Sequence, residues 1–149
     1  MLPIDIQPLS DLSIVEIEPL LRASEAEGYT FVQRLVNGYA DGHNRFDRPG
    51  ERLFGAYALG QLVGVGGLNR DPYLVEETAV GRVRHLYVLP SWRRQEVGQR
   101  LMAAIIAQGR LHFQRLTLRT FNPNAAAFYV ALGFHPTPEA TDATHQLLL

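Results

Sequence analysis

"RHLYVLPSWRRQEVGQRL" (residues 84–101) is the stretch whose reading decides the fold. Its first half, the end of "VGRVRHLYVL" (80–89), has the branched and aromatic residues of a strand, and Pro90 stops it. In its second half and beyond, Val97, Leu101, Ala104 and Ile105 recur at helical spacing, so residues 93–112 read as a helix. A strand that turns straight into a helix leaves the helix's first N–H groups unpaired beside the turn. The helix dipole favours an anion there. Arg93, Arg94 and Gly98 suit such a cradle, but Glu96 stands where such a turn usually carries a second glycine.

Working outward, "IDIQPL" (4–9) alternates as a first strand. Residues 13–23 and 27–40 have helical spacing, with Pro19 and Gly28 blurring their limits. "DGHNRFDRPGER" (41–52) is a long polar loop. "LFGAYALGQLVGVGGL" (53–68) reads as a hairpin turning near Gly60. "RLTLRT" (115–120) alternates as a strand. "PNAAAFYVALGF" (123–134) is a helix with Pro123 in its first turn and Gly133 at its end, and "DATHQLLL" (142–149) closes the chain as a strand. The order is β-α-α-β-β-β-α-β-α-β-β, an α/β or α+β arrangement with a mixed sheet.

Three stretches stand in a fixed order: the strand ending "RHLYVLP", the turn and helix "RRQEVGQRL", and "NPNAAAFYVALGF". This arrangement resembles the GNAT superfamily of acyl-CoA-dependent N-acetyltransferases. The resemblance covers the whole chain in element order and is specific over about residues 82–134. Its strongest part is the pattern filled by Asn122, Ala125, Phe128, Tyr129, Gly133 and Phe134. It implies one GNAT-like domain over 1–149, with a mixed, mostly antiparallel sheet of about seven strands and about four flanking helices.

It also implies acetyl-CoA as co-substrate. In the family, the amides of the turn matching Arg93, Arg94, Gln95, Glu96, Val97, Gly98 and Gln99 hold the pyrophosphate. The strand end matching Leu86, Tyr87 and Val88 pairs with the pantetheine arm as an added strand would. Asn122 matches a cofactor-contacting asparagine, and a capping role before Pro123 is compatible with that. Tyr129 matches the tyrosine that protonates the departing thiolate, a general-acid effect worth about 10²–10⁴-fold.

The general base is not legible. Strand alternation puts Arg82, Arg84, Leu86 and Val88 on one face and Val83, His85 and Tyr87 on the other, unless a bulge shifts the phase. On this reading His85 is a packing residue. In the ribosomal-protein N-acetyltransferase branch a glutamate sits five residues before the motif asparagine; here Thr117 stands there. Arg82 and Arg84, in phase with the cofactor-facing strand end, are candidate substrate-binding residues for an acceptor carboxylate. Glu76, Glu77 and Asp71 are the alternative partners for these arginines. The acceptor is a small-molecule or peptide amine, with pocket walls expected from residues 41–52 and 135–143. As for Glu96, its replacement by glycine is expected to tighten coenzyme A binding and to destabilise the empty protein slightly.

Composition narrows the alternatives. The 149 residues carry a net charge of −1 and 46% hydrophobic residues, as expected of one ordinary globular domain. No global basic field draws the chain to nucleic acid or anionic membrane, and no run approaches a membrane span. A cytoplasmic location is the default expectation. Cysteine is absent, which excludes a cysteine acyl-enzyme and thiolate metal sites; lysine is absent too, all 14 basic residues being arginine. The histidines lack metal-ligand spacing, and no metal is expected. The assembly state is open, a homodimer among the options. A second reading keeps the cofactor groove without the catalysis: a GNAT-like module that senses acyl-CoA.

Overall fold

The computed structural model describes residues 3–149. The strands are β1 (Asp5–Pro8), β2 (Arg52–Ala58), β3 (Gln61–Arg70), β4 (Val80–Val88), β5 (Arg115–Leu118), β6 (His135–Pro136) and β7 (His145–Leu148). The helices are α1 (Ile14–Ala26), α2 (Phe31–Ala40), α3 (Val97–His112) and α4 (Pro123–Ala131), with one 3₁₀ turn at Pro90–Trp92. The order along the chain is the expected one.

All seven strands join one sheet in the order β1-β2-β3-β4-β5-β7-β6. Only β4 and β5 pair in parallel, joined by the α3 crossover; every other pair is antiparallel. β2 and β3 form a hairpin in which Ala58 faces Gln61. Its two loop residues, Leu59 and Gly60, both have positive φ (54° and 75°), the conformation that matches the strand twist. The boundary in 23–31 is settled by Gly28, whose φ of 85° ends α1, so α2 begins at Phe31 behind Thr30. α1 runs through Pro19, which is exposed.

Each face of the sheet has its own core. On one face lie Val97, Leu101, Met102 and Ile105 of α3, with Val83, Leu116, Leu118, Tyr129 and Phe134. On the other lie Ile17 and Leu20 of α1 and Val32 and Leu35 of α2, with Leu53, Leu62, Val65 and Tyr87. Burial of these apolar faces is what drives the layers together.

Candidate active site

The centre of the sheet is split. β4 and β5 pair at three positions, Val80–Arg115, Gly81–Leu116 and Arg82–Thr117, and then part. From Val83 to Val88 the β5-side edge of β4 has no strand partner, although the other edge stays paired with β3. A cleft therefore opens between the strands, closed at the Arg82–Thr117 end.

β4 is bulged inside this cleft. The β3 register jumps from Gly67–Arg84 to Val65–Tyr87, and His85 adopts φ 61°. The expected face assignment is thereby corrected: the extra residue shifts the phase. Leu86 and Val88 join Val83 on the α3 face, whereas Tyr87 packs on the α1–α2 face, the side where His85 also bonds. The Nδ1 of His85 lies 3.0 Å from the Phe31 carbonyl, and its ring meets Phe46 edge-on. Burial, reinforced by Arg84, lowers its pKa to about 3, so the ring is neutral at ordinary pH.

Beyond β4, the chain passes the 3₁₀ turn and enters α3. Arg94 and Glu96 both take left-handed conformations, with φ of 64° and 66°. Glu96 is the N-cap residue of α3, yet its side chain makes no capping bond. Among the described residues, the backbone N–H groups of Arg94, Gln95, Glu96, Val97, Gly98 and Gln99 make no hydrogen bond of ordinary length and angle, and the first such helical bond of this region is Arg100 to the Glu96 carbonyl. These unpaired donors lie at the positive end of a 16-residue helix.

The two arginines of the turn separate. Arg93 is committed: its guanidinium makes a fork on Glu27 (2.7 and 2.8 Å), and its Nε donates to the Val88 carbonyl at 3.0 Å. The Tyr87 hydroxyl also donates to Glu27. The side chain of Arg94 is exposed and enters no hydrogen bond or ion pair among the described residues.

α4 starts beside the open end of the cleft. Asn122 caps it, accepting from the N–H of Asn124 (2.9 Å) and Ala125 (3.2 Å), while its amide donates to the Tyr29 hydroxyl at 3.3 Å. Tyr129 is buried between Phe128 and Phe134, with ring centroids 5.3 and 5.6 Å away. Burial pushes its pKa up, so the O–H keeps its proton.

At the closed end of the cleft lies a cavity of about 260 Å³. It is lined by Asp71, Tyr73, Arg82 and Thr117, and by Thr137 and residues 139–143 between β6 and β7. Of the two segments expected to wall the acceptor pocket, 135–143 contributes and 41–52 does not. Arg82 lines the cavity; Arg84 does not. Of the alternative partners for these arginines, Asp71 does pair with Arg82, at 3.8 Å, whereas Glu77 binds Arg115 at 2.8 Å. Glu27, Tyr73 and Thr137 carried no local signal in the sequence. Among the described residues, no three His, Asp or Glu side chains gather as a metal site.

The family model for the GNAT acetyltransferases matches residues 17–134. This chain belongs to the GNAT family. Its GNAT fold superposes on that of a candidate acetyltransferase from Exiguobacterium sp. 255-15 with a TM-score of 0.86, at 29% identity over 98% of this chain and 93% of the other. An acetyltransferase from Streptococcus agalactiae 2603 gives 0.78 at 15% identity, with 98% of each chain covered. A candidate acetyltransferase from Salmonella typhimurium, whose structure contains acetyl-CoA, gives 0.73 at 12% identity over 98% and 94% of the two chains. The latter two likenesses speak to the fold alone. No curated protein matches the sequence. No helix among the described residues is long and apolar enough to cross a membrane.

Proposed function

We propose that this GNAT protein transfers the acetyl group of acetyl-CoA to a primary amine by direct attack in a ternary complex. The observation that carries this reading is the run of unpaired N–H groups from Arg94 to Gln99, set beside the unpaired edge of β4. An anionic pyrophosphate fits the first, and an extended amide-bearing arm fits the second. Leu86, Tyr87 and Val88 would present the backbone for that arm. Arg94 would add a free cation beside the phosphates, whereas Arg93 holds the turn to Glu27. Asn122 would face the cofactor while capping α4.

The amine nitrogen attacks the thioester carbonyl, and the C–S bond breaks as the tetrahedral intermediate collapses. The departing thiolate, whose thiol has a pKa near ~8.5, takes the proton of the Tyr129 hydroxyl. The attacking nitrogen loses its proton through water. His85 is a poor base here, because burial lowers its pKa to about 3 and so weakens its hold on a proton.

The test is coenzyme A release from acetyl-CoA over a panel of amines, read with a thiol reagent. Acceleration by at least one amine, weakened in Tyr129→Phe, supports the proposal. Tight acetyl-CoA binding with no release over any amine would favour the sensing module instead.

A further inference from the structure

The cavity at the closed end of the cleft contains two buried polar groups without partners. Arg82 is 6% exposed, and its Nη1 finds no hydrogen-bond acceptor; the Thr137 hydroxyl, in a residue also 6% exposed, likewise finds no partner. Orphaned buried donors are rare and costly, by about 1–3 kcal/mol each and more for charged groups. They call for an explanation, and both lie on the wall of the same space.

The nearest carboxylate does not supply it. Asp71 forms a buried ion pair with Arg82, its Oδ2 3.8 Å from Nη1, which offsets the charge but is too long for a hydrogen bond. Its two oxygens are held by other donors, one accepting the Thr117 hydroxyl at 2.6 Å and the other the Tyr73 N–H at 2.9 Å. Tyr73 lies under the guanidinium, with the Arg82 Cζ 4.7 Å from the ring centroid. The Asp71 ion pair and the Tyr73 ring therefore hold the Arg82 plane in place and leave its Nη1 without a hydrogen-bond acceptor. The two further acids of the lining, Glu139 and Asp142, belong to the β6–β7 connection; Glu139 is exposed and Asp142 half-buried.

We propose that this cavity is the subsite for a carboxylate carried by the amine acceptor, with Arg82 as its specificity-determining residue and Thr137 as a second donor. The inference rests on the acyl-transfer reading above. A guanidinium edge matches a carboxylate through two parallel hydrogen bonds, which a neutral amide cannot reproduce. The position is suitable: Arg82 and Thr117 are the last paired residues before β4 and β5 part. A molecule anchored there by its carboxylate would reach the unpaired edge of β4 by extending past Arg82. The cavity, about 260 Å³, is at the small end of ligand sites, so it takes the end of a small molecule and not a folded partner.

The experiment uses matched amine pairs, each an amino acid or dipeptide and the corresponding carboxamide, with the wild type, Arg82→Gln, Arg82→Lys and Thr137→Val. The wild type is expected to prefer the carboxylate member by at least about tenfold in kcat/KM. Arg82→Gln should collapse that ratio, mainly through KM, and acetyl-CoA affinity serves as the control for folding. Arg82→Lys should keep part of the preference, and Thr137→Val should lower it a few-fold. Equal turnover of both members by the wild type would overturn the proposal, as would an unchanged ratio in folded Arg82→Gln. If no amine is acetylated, the acyl-transfer reading fails, and calorimetry with the same pairs decides the subsite. Carboxylate-dependent binding lost in Arg82→Gln supports it, and no such binding by the wild type overturns it.

Discussion

Arg93 grips Glu27 across 66 positions of chain, and this contact joins the end of α1 to the turn that opens α3. The Arg93 fork, acting against partial burial and aided by the Tyr87 hydroxyl, holds the Glu27 carboxyl below its ordinary 4.5. A carboxyl depressed in the folded state adds stability above its unfolded pKa and loses it as pH falls through the folded one. Glu27→Gln should therefore lower the melting temperature at pH 7 by roughly 2–4 °C, from a loss of about 0.5–1 kcal/mol for a partly exposed pair. The difference from wild type should shrink as pH falls below 4.5. Equal melting at pH 7 would mean that the fork contributes nothing to stability.

His85 gives a second limb at higher pH. Its folded pKa, about 3, lies below the ordinary 6.5, so the unfolded chain takes up its proton first. Stability should be full above 6.5 and decline as pH drops from there toward 3. His85→Asn, which tolerates the left-handed conformation, should flatten the decline between pH 6.5 and 5 in melting curves. A decline as steep as the wild type's would place its origin in another group.

Glu96→Gly reverses one expectation. From the sequence alone, the change should tighten coenzyme A and weaken the empty protein. The φ of 66° alters the second half, since a left-handed conformation costs a side-chain-bearing residue about 1–2 kcal/mol, which glycine avoids. Against that stands the greater backbone freedom of glycine in the unfolded chain, about 0.5–1 kcal/mol. The variant should be up to about 1 kcal/mol more stable and bind coenzyme A a few-fold to tenfold more tightly, most clearly at low salt. Melting curves and calorimetric titration at two ionic strengths would check both. Weaker binding would show that Glu96 orders the turn.

Gly98 separates binding from folding in another way. A Cβ there would lie 3.4 Å from the Phe128 ring and 3.9 Å from Val88, which is ordinary contact. Gly98→Ala should keep or raise the melting temperature, alanine being the better helix former. It should also weaken coenzyme A by about tenfold, because the methyl lies between Phe128 and Val88, at the end of the β4 edge proposed for the pantetheine arm. Unchanged affinity would remove Gly98 from the cradle.

Tyr129→Phe should bind acetyl-CoA as the wild type does and lose at least about tenfold in kcat. Since burial raises the Tyr129 pKa, its ionisation should not appear as an alkaline limb in kcat below about pH 10. Full turnover by the variant with a competent amine would end its role as the acid.

The element order was legible because its punctuation is local. Pro90 stops β4, Pro123 opens α4, and the left-handed Gly133 follows that helix. The face assignment of β4 was not, because the bulge at His85 depends on pairing with β3 and no sequence signal marks it. The Glu27–Arg93 contact joins elements too distant in sequence for any pattern to connect. Of the cavity, Arg82 was visible as a strand cation. That its Nη1 lacks an acceptor depends on Asp71, its ion-pair partner, bonding Thr117 and Tyr73, and Thr137 joins the cavity from far along the chain.

The seam in the sheet also bears on solubility. An unpaired strand edge usually invites another chain to add to it and begin an aggregate. Here the edge runs only from Val83 to Val88, is kinked at His85 and lies inside the sheet, with Phe128 of α4 close to its Val88 end. A flat strand from a second molecule would need a longer, straighter margin. The bend that upset the alternation of β4 thus also makes this edge a poor template for strand addition by a second chain.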